Sequence, residues 1–245
     1  MKRQINRVTV DSGSIEESLT FAFISDLHNA PYDDALQAAR GVDAILVTGD
    51  LLDRHRGGMH HALRFIQEAP DTAPVFFSVG NHETRNEDWP EFRKLLEKSR
   101  VTVLDDRFVH FRGVVLGGLT SREVDSHRLE KDQKPEMRRF VSCMAREDGF
   151  KLLMCHHPEY YPVVVQGQGI DLTLSGHAHG GQVQLFGHGL YAPGQGILPK
   201  YTHGFYDDEH LLVSRGMTNS AHAPRLWNPC EMILLTIKST QERKG

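Results

Sequence analysis

Residues 19–28 read Leu-Thr-Phe-Ala-Phe-Ile-Ser-Asp-Leu-His. Leu19 to Ser25 is almost continuously apolar and rich in β-branched and aromatic side chains, and it gives way at once to a carboxylate and an imidazole two residues apart. An apolar run of this length marks a strand covered on both faces. The same pattern recurs at Ala44 to Thr48, followed by Gly49-Asp50, and at Val75 to Val79, followed by Gly80-Asn81-His82-Glu83. Between these runs lie an Ala-rich stretch from Asp34 to Arg40 and the set Met59, Ala62, Leu63 and Ile66 at helical spacing. Strands alternating with helices imply a parallel sheet and an α/β fold.

Further along, the stripe Trp89, Phe92 and Leu96 predicts a helix from Trp89 to Ser99, and Met137, Phe140, Val141 and Met144 predict another from Pro135 to Arg146. Strands are expected at Val101–Leu104 and across Phe108–Leu116, with turns at Asp105-Asp106 and Gly113, and then at Leu152–Cys155, Asp171–Leu174, Gln182–Leu185, Leu211–Val213 and Met232–Thr236. The Gly/Pro-dense stretch Gly187 to Gly204 reads as one long loop, and Lys238 to Gly245 as a fraying tail. No repeat, low-complexity tract or linker divides the chain, so one domain over residues 1–245 is expected.

With 39% hydrophobic and 24% charged residues and a mean hydropathy of -0.41, the composition is that of a soluble globular protein and excludes disordered, collagenous and membrane-spanning classes. The 28 Lys and Arg against 32 Asp and Glu leave a net charge of -4, which gives no general attraction to nucleic acid or anionic lipid. Cys143, Cys155 and Cys230 form no CxxC pair and are odd in number, so a reducing compartment is the simpler reading. The expected location is cytoplasmic, with peripheral membrane association and a removed export signal left open. The 15 histidines exceed ordinary usage, and histidine is the commonest metal ligand.

Those histidines, with the carboxylates, gather where strands end. Asp26 and His28 follow the first apolar run, Asp50 the second, Asn81 and His82 the third, His156 a later one and His177 and His179 the next. Ligands bind at the carboxyl ends of strands in open α/β sheets, so these endings are expected to share one crevice. In an extended chain the i, i+2 spacing of Asp26 with His28, and of His177 with His179, places each pair on one side. The donors are oxygen and nitrogen without sulfur, which suits Mn, Fe, Zn, Ni or Co, while the imidazoles argue against Ca or Mg. Seven ligands suffice for two ions if one carboxylate bridges, and Asp50 is central. Two divalent ions against Asp26 and Asp50 leave the site positive, which favours an anionic substrate such as a phosphate ester. Such a pair of ions lowers the pKa of water from 15.7 toward about 7.

The order DxH, GD, GNHE, H and GHxH resembles the calcineurin-like metallophosphoesterase family. The resemblance implies a four-layer α-β-β-α sandwich of two mixed β-sheets flanked by helices. It implies that Asp26, His28 and His179 bind one metal, that Asn81, His156 and His177 bind the other, and that Asp50 bridges. His82 would then contact the phosphate and either protonate the leaving oxygen or stabilise the transition state, so that Asp50 and His82 form the catalytic pair. The run Gly176 to Gln182, with Tyr191-Ala192-Pro193-Gly194-Gln195-Gly196 and Pro199-Lys200-Tyr201, looks like the bacterial branch of small phosphohydrolases. That branch includes cell-wall-associated phosphoesterases and hydrolases of UDP-diacylglucosamine. Ser214-Arg215-Gly216, Pro224-Arg225 and Asn228-Pro229-Cys230-Glu231 continue its pattern, with Cys230 where Pro is more usual.

The expected function is therefore a dinuclear phosphoesterase, Mn being the first choice of metal, that hydrolyses a phosphodiester or pyrophosphate bond by in-line attack of a metal-bridging hydroxide. A phosphorylated small molecule or lipid precursor is the expected substrate. The alternatives are a non-catalytic protein-binding scaffold of the same fold and a nuclease, the latter disfavoured by the acidic balance. Substrate contacts are expected among Arg54, His188, Lys200, His203 and Arg215, with Arg56, Arg85 and Arg225 as further arginines of the same kind. Glu83 is expected to orient a ligand. His157 should point away from the cluster, and His55, His60, His61, His110, His127, His210 and His222 read as ordinary solvated or structural histidines. His82-Glu83-Thr84-Arg85-Asn86 is not HExxH, and neither GxSxG nor GxxxxGK[ST] occurs. Asp53 stands where purple acid phosphatases carry a tyrosine.

Overall fold

The computed structural model describes residues 3–122, 133–219 and 224–241, so His127 and His222 lie outside the described residues. In chain order the elements are β1 (Gln4–Ser12), β2 (Leu19–Ile24), α1 (Asp33–Ala38), β3 (Ala44–Thr48), α2 (His60–Glu68), β4 (Val75–Ser78), the single turn α3 (Asn81–Thr84) and α4 (Trp89–Glu97). There follow β5 (Val101–Val103), β6 (Arg107–Phe111), β7 (Val114–Leu119), α5 (Gln133–Met144), β8 (Phe150–Cys155) and β9 (Leu172–Ser175). The chain closes with the short strands β10 (Gln184–Leu185), β11 (His188–Gly189), β12 (Tyr191–Ala192), β13 (Gly196–Ile197) and β14 (Gly204–Tyr206), then β15 (Leu211–Val213) and β16 (Glu231–Ser239).

Two six-stranded sheets result, ordered β1-β16-β2-β3-β4-β5 and β14-β15-β9-β8-β7-β6. Both are mixed: β2 to β5 run parallel while β16 is antiparallel to β2, and β7, β8, β9 and β15 run parallel between antiparallel edges β6 and β14.

The two-residue period of each strand builds the four layers. Phe21, Phe23, Ala44, Leu46, Ile233 and Leu235 face Leu116, Leu152, Met154 and Leu174 in the core between the sheets. Their neighbours Ala22, Ile24, Ile45, Val47 and Leu234 turn outward onto Phe65, Ile66, Phe92 and Leu96 of α2 and α4. On the second sheet Val115, Leu153 and Cys155 turn out onto Met137, Val141 and Met144 of α5 and onto Tyr160, Tyr161 and Val164. Continuous apolar runs are thus required because both faces of each strand are buried.

Several expectations need correction. Residues 4–12, not among the strands expected from sequence, form an edge strand that pairs in parallel with the whole of β16. That pairing carries β16 through Lys238 and Ser239, so the tail is ordered two residues further than expected. The strand expected at Gln182–Leu185 shrinks to the two residues of β10, and the loop Gly187–Gly204 contains β11, β12 and β13, folded as two small hairpins. The turn expected at Gly113 is present: it divides Phe108–Leu116 between β6 and β7, with Arg112 and Gly113 both at positive φ.

A Cβ added at Gly118 in β7 would lie 2.2 Å from the carbonyl oxygen of Leu104. Because backbone cannot yield as a flexible side chain can, Gly118→Ala is expected to lower the urea-unfolding free energy by about 1–3 kcal/mol, whereas an unchanged midpoint would contradict this packing.

Candidate metal centre

Five strands deliver the polar cluster. Asp26 lies two residues beyond β2, Asp50 two beyond β3, Asn81 three beyond β4, His156 directly after β8 and His177 two beyond β9. Asp26, His28, Asp50, His177 and His179 all adopt the left-handed backbone, with φ of 55°, 48°, 54°, 63° and 47°. The i, i+2 pairs therefore share a side because each sits in a tight left-handed turn, where an extended path was expected. Each such non-glycine residue stores about 1–3 kcal/mol of strain, and residues of this kind cluster at functional sites. Glycines let the two sheets close around the turns. A Cβ at Gly176 would lie 2.4 Å from Asp26 Oδ2, and one at Gly80 would lie 2.3 Å from Asp50 Oδ1.

The side chains converge into two adjoining groups, Asp26 with His28 and His179, and Asp50 with His156 and His177. His28, Asp50 and His82 link them. Asp50 Oδ2 lies 3.0 Å from His156 Nε2, 3.9 Å from His82 Nε2 and 4.0 Å from His28 Nε2. Asp26 Oδ1 lies 3.7 Å from both His28 Nε2 and His179 Nε2 and 3.9 Å from His156 Nε2. All of these side chains are buried, as is Asn81.

The backbone selects the ring tautomers. His28 Nδ1 faces the carbonyl of Leu52 at 3.3 Å and His156 Nδ1 that of Thr48 at 2.8 Å. Carbonyls only accept, so both Nδ1 atoms carry protons and both Nε2 atoms point into the cluster, the nitrogen that a metal would take in place of a proton. His28 Nε2 and Asn81 Oδ1 are buried without a hydrogen-bond partner. Such atoms are costly to bury unless something else meets them, and the oxygen and nitrogen donors around them fit a divalent transition metal.

Burial alone would raise both aspartates, yet the surrounding imidazoles, His179 and His28 for Asp26 and His156 and His82 for Asp50, hold them well below the usual carboxylate range. Burial opposes charge on His156 too, but Asp50 outweighs it and pushes His156 up to about 10. Burial drives His82 and His179 down to about 3.

Supporting groups complete the site. Glu83 accepts hydrogen bonds from the backbone N–H of Asp50 and Gly80, each at 2.8 Å, and of Leu52 at 2.9 Å, so it fixes the loop that presents Asp50. Asp53, singled out in the sequence only by contrast with purple acid phosphatases, is buried 3.8 Å from His82 Nδ1. The i+3 spacing from Asp50 was its one available signal. His157 corrects another expectation: the chain turns helical at Pro158, and the His157 ring packs 4.1 Å from that of His177 while Nδ1 bonds Glu159 at 2.9 Å.

The candidate substrate contacts divide. The Arg54 backbone N–H donates to His82 Nδ1 at 3.2 Å, while its guanidinium turns to His55. His203 and Arg215 lie close enough for the arginine to depress the imidazole, after burial, to about 4, with His188 adding to the effect. Lys200 is exposed, its ammonium 4.8 Å from the centre of the Tyr201 ring. Arg225, one of the further arginines, reaches the cluster itself, its Nη2 lying 2.8 Å from His179 Nδ1.

The family described as Calcineurin-like phosphoesterase matches residues 19–181, which hold every side chain of the two adjoining groups. The chain belongs to that family. Among relatives, it is 30% identical to Bacillus subtilis (strain 168) YpbG, with 89% of this chain and 81% of that protein covered. It is 25% identical to the putative metallophosphoesterase F40B5.2 of Caenorhabditis elegans over 95% of this chain, but spans only 50% of that protein. It spans 42% of an uncharacterized Helicobacter pylori (strain J99 / ATCC 700824) metallophosphoesterase at 28% identity. Among solved structures, TT1561 of Thermus thermophilus aligns with a TM-score of 0.48 and 13% identity, covering 64% of this chain and 81% of that one. The family is one of phosphoesterases, and the His and Asp side chains of the two groups are of the kind that could hold a metal. No helix among the described residues is long and apolar enough to cross a membrane.

Replacing Glu83 by Gln keeps shape but sets an NH2 group against backbone N–H donors. In metal-stripped protein, Glu83→Gln is expected to lower the urea-unfolding free energy by about 1–3 kcal/mol, and no loss would show that this carboxylate is not what holds the Asp50 loop.

Proposed function

We propose that this phosphoesterase uses two divalent transition metals, Mn first among them, to hydrolyse a phosphodiester or pyrophosphate bond by in-line displacement, within a single domain spanning the chain. The observation that carries the reading is the place of Asp50, one of whose oxygens lies within 4.0 Å of Nε2 of His28, His82 and His156. Asp26, His28 and His179 would hold one ion and Asn81, His156 and His177 the other, with Asp50 shared between them. Such a pair supplies Lewis acidity at the phosphoryl oxygens and a nucleophilic water at neutral pH.

The chain's own groups do the rest. Because the Arg54 N–H donates to His82 Nδ1, neutral His82 must carry its proton on Nε2, the nitrogen that faces Asp50. His82 thus offers a hydrogen-bond donor to a phosphoryl or leaving oxygen, which suits a stabiliser of the transition state; delivering a proton as general acid would first require the imidazolium. Burial keeps the imidazole neutral until substrate arrives. Asp50 Oδ1 accepts the His82 N–H at 2.8 Å, so the shared carboxylate also orients this residue.

Exposed apolar side chains favour a lipid-precursor substrate over a nucleic acid. Phe186, Ile197, Leu198 and Trp227 are 93%, 82%, 72% and 75% exposed. Trp227 adjoins Asn228, whose Nδ2 donates to the carbonyls of His179 and Gln182. Exposed apolar groups on the segments that follow His179 suit acyl chains.

Chelator-treated protein is expected to be inactive on bis(p-nitrophenyl) phosphate and to recover with added Mn. His82→Gln is expected to lower kcat by about 10²–10⁴-fold with metal content unchanged. No turnover with Mn, Fe, Zn, Ni or Co would instead favour the scaffold. Phe186→Ser combined with Trp227→Ser is expected to raise KM for UDP-diacylglucosamine about tenfold, more than for bis(p-nitrophenyl) phosphate, as loss of two apolar contacts implies. Preferred cleavage of single-stranded DNA would replace the lipid-precursor reading with the nuclease one.

A further inference from the structure

We infer that Arg225, with Arg215 and His203 beside it, forms a second anion subsite that takes a phosphoryl group next to the one attacked. The inference rests on the proposed hydrolase reading and narrows its substrate to compounds with a pyrophosphate bond.

Arg225 is held in a way that leaves much of its hydrogen-bonding capacity unused, while Asp26 and Glu231 act on its charge from beyond ion-pair distance. Nη2 lies 2.8 Å from His179 Nδ1 and donates to the Thr218 carbonyl at 2.6 Å. Nε and Nη1 are buried without a hydrogen-bond partner, and the same is true of Arg215 Nε. Buried guanidinium donors left unmet are costly, and among the described residues no carboxylate lies within ion-pair distance of either arginine. The two arginines are near enough to repel each other, and Arg215 in turn acts on His203. Gln182, whose carbonyl accepts the Leu226 N–H at 3.3 Å, is buried with neither amide atom partnered. Acid is sparse around these groups: none of the 32 Asp and Glu falls between Leu172 and Tyr206 or between Leu211 and Cys230, and the nearest in sequence, buried Glu231, accepts the Arg215 backbone N–H at 2.8 Å and acts on both arginines.

Proton bookkeeping shows that the Arg225 contact is provisional. A guanidinium only donates, so His179 Nδ1 must accept, which leaves the ring proton on Nε2. His28 and His156 show the opposite arrangement, with Nδ1 protonated and Nε2 turned into the cluster. Once Nε2 of His179 serves a cation, its proton belongs on Nδ1, and two donors then face each other. Arg225 must leave His179, and an anion is the partner that its fork of N–H groups fits. The attacked phosphoryl already answers the excess charge of the ion pair, so the further positive charge of Arg225 and Arg215 calls for another anionic group. A neighbouring phosphoryl supplies it.

The test uses the full metal-loaded chain and isothermal titration with methylphosphonate and methylenediphosphonate. Wild type is expected to bind the diphosphonate at least tenfold more tightly. Arg225→Gln should lose at least tenfold in diphosphonate affinity and no more than threefold in methylphosphonate affinity, with Arg225→Lys between the two. In parallel, the ratio of kcat/KM for UDP-N-acetylglucosamine to that for bis(p-nitrophenyl) phosphate should fall at least tenfold. Equal losses for both phosphonates would mean that Arg225 acts only through His179, and no loss would mean that it meets no anion; either overturns the inference. Arg215→Gln reads the same preference should Arg225→Gln fail to fold. Absence of turnover in wild type would sink the hydrolase reading alone, since the binding preference is measured without chemistry.

Discussion

Two carboxylates and five imidazoles sit together in a crevice from which water is almost excluded. Ionised groups removed from water are costly unless opposite charge and hydrogen bonds meet them, and much of this structure exists to meet them. Asp26 and Asp50 stay ionised because imidazoles surround them. Two of those imidazoles, His28 and His156, hold their orientation because backbone carbonyls of Leu52 and Thr48 take the far ring protons. The loop carrying Asp50 is pinned in turn by Glu83, itself buried and raised to about 7 by burial and by Asp50.

Such an arrangement requires rigid walls. The covered sheets supply them, with three apolar cores separating four layers. Parallel strands in both sheets end at the same edge, and Gly49, Gly80 and Gly176 allow those ends to approach within van der Waals contact. A Cβ at Gly49 would stand 2.7 Å from His156 Nδ1, so even the ring that joins one sheet to the other depends on a missing side chain. Left-handed backbone at five of the polar residues shows that geometry here was set by the site and stabilised by the packing beneath it.

Around this cluster the second half of the chain adds a further layer. The small hairpins between Gln184 and Ile197 and the segment at Arg225 to Asn228 are bound to each other and to the backbone of His179. They bring the Arg225 guanidinium against the His179 ring, and in the proposed reading this is the side that meets substrate.

Apolar runs followed by polar doublets were enough to place β2, β3, β4, β8 and β9 and the residues at their ends, since burial on both faces leaves a continuous apolar signature. Helices α2 and α4 were equally legible from their spacing. Residues 4–12 were not, because an edge strand buries only alternate side chains in part and its pairing with β16 lies more than two hundred residues away. Nor could spacing reveal that Arg225 meets His179, that His157 folds back beside His177, or that Asp26 and His28 share a side through left-handed turns. Local pattern decides which segments become strands and where their polar ends fall, since it depends on near neighbours alone. Which side chains then touch, which ring nitrogen carries a proton and which charges go unmet are decided by contacts between distant segments, and these exist only once the two sheets have closed on each other.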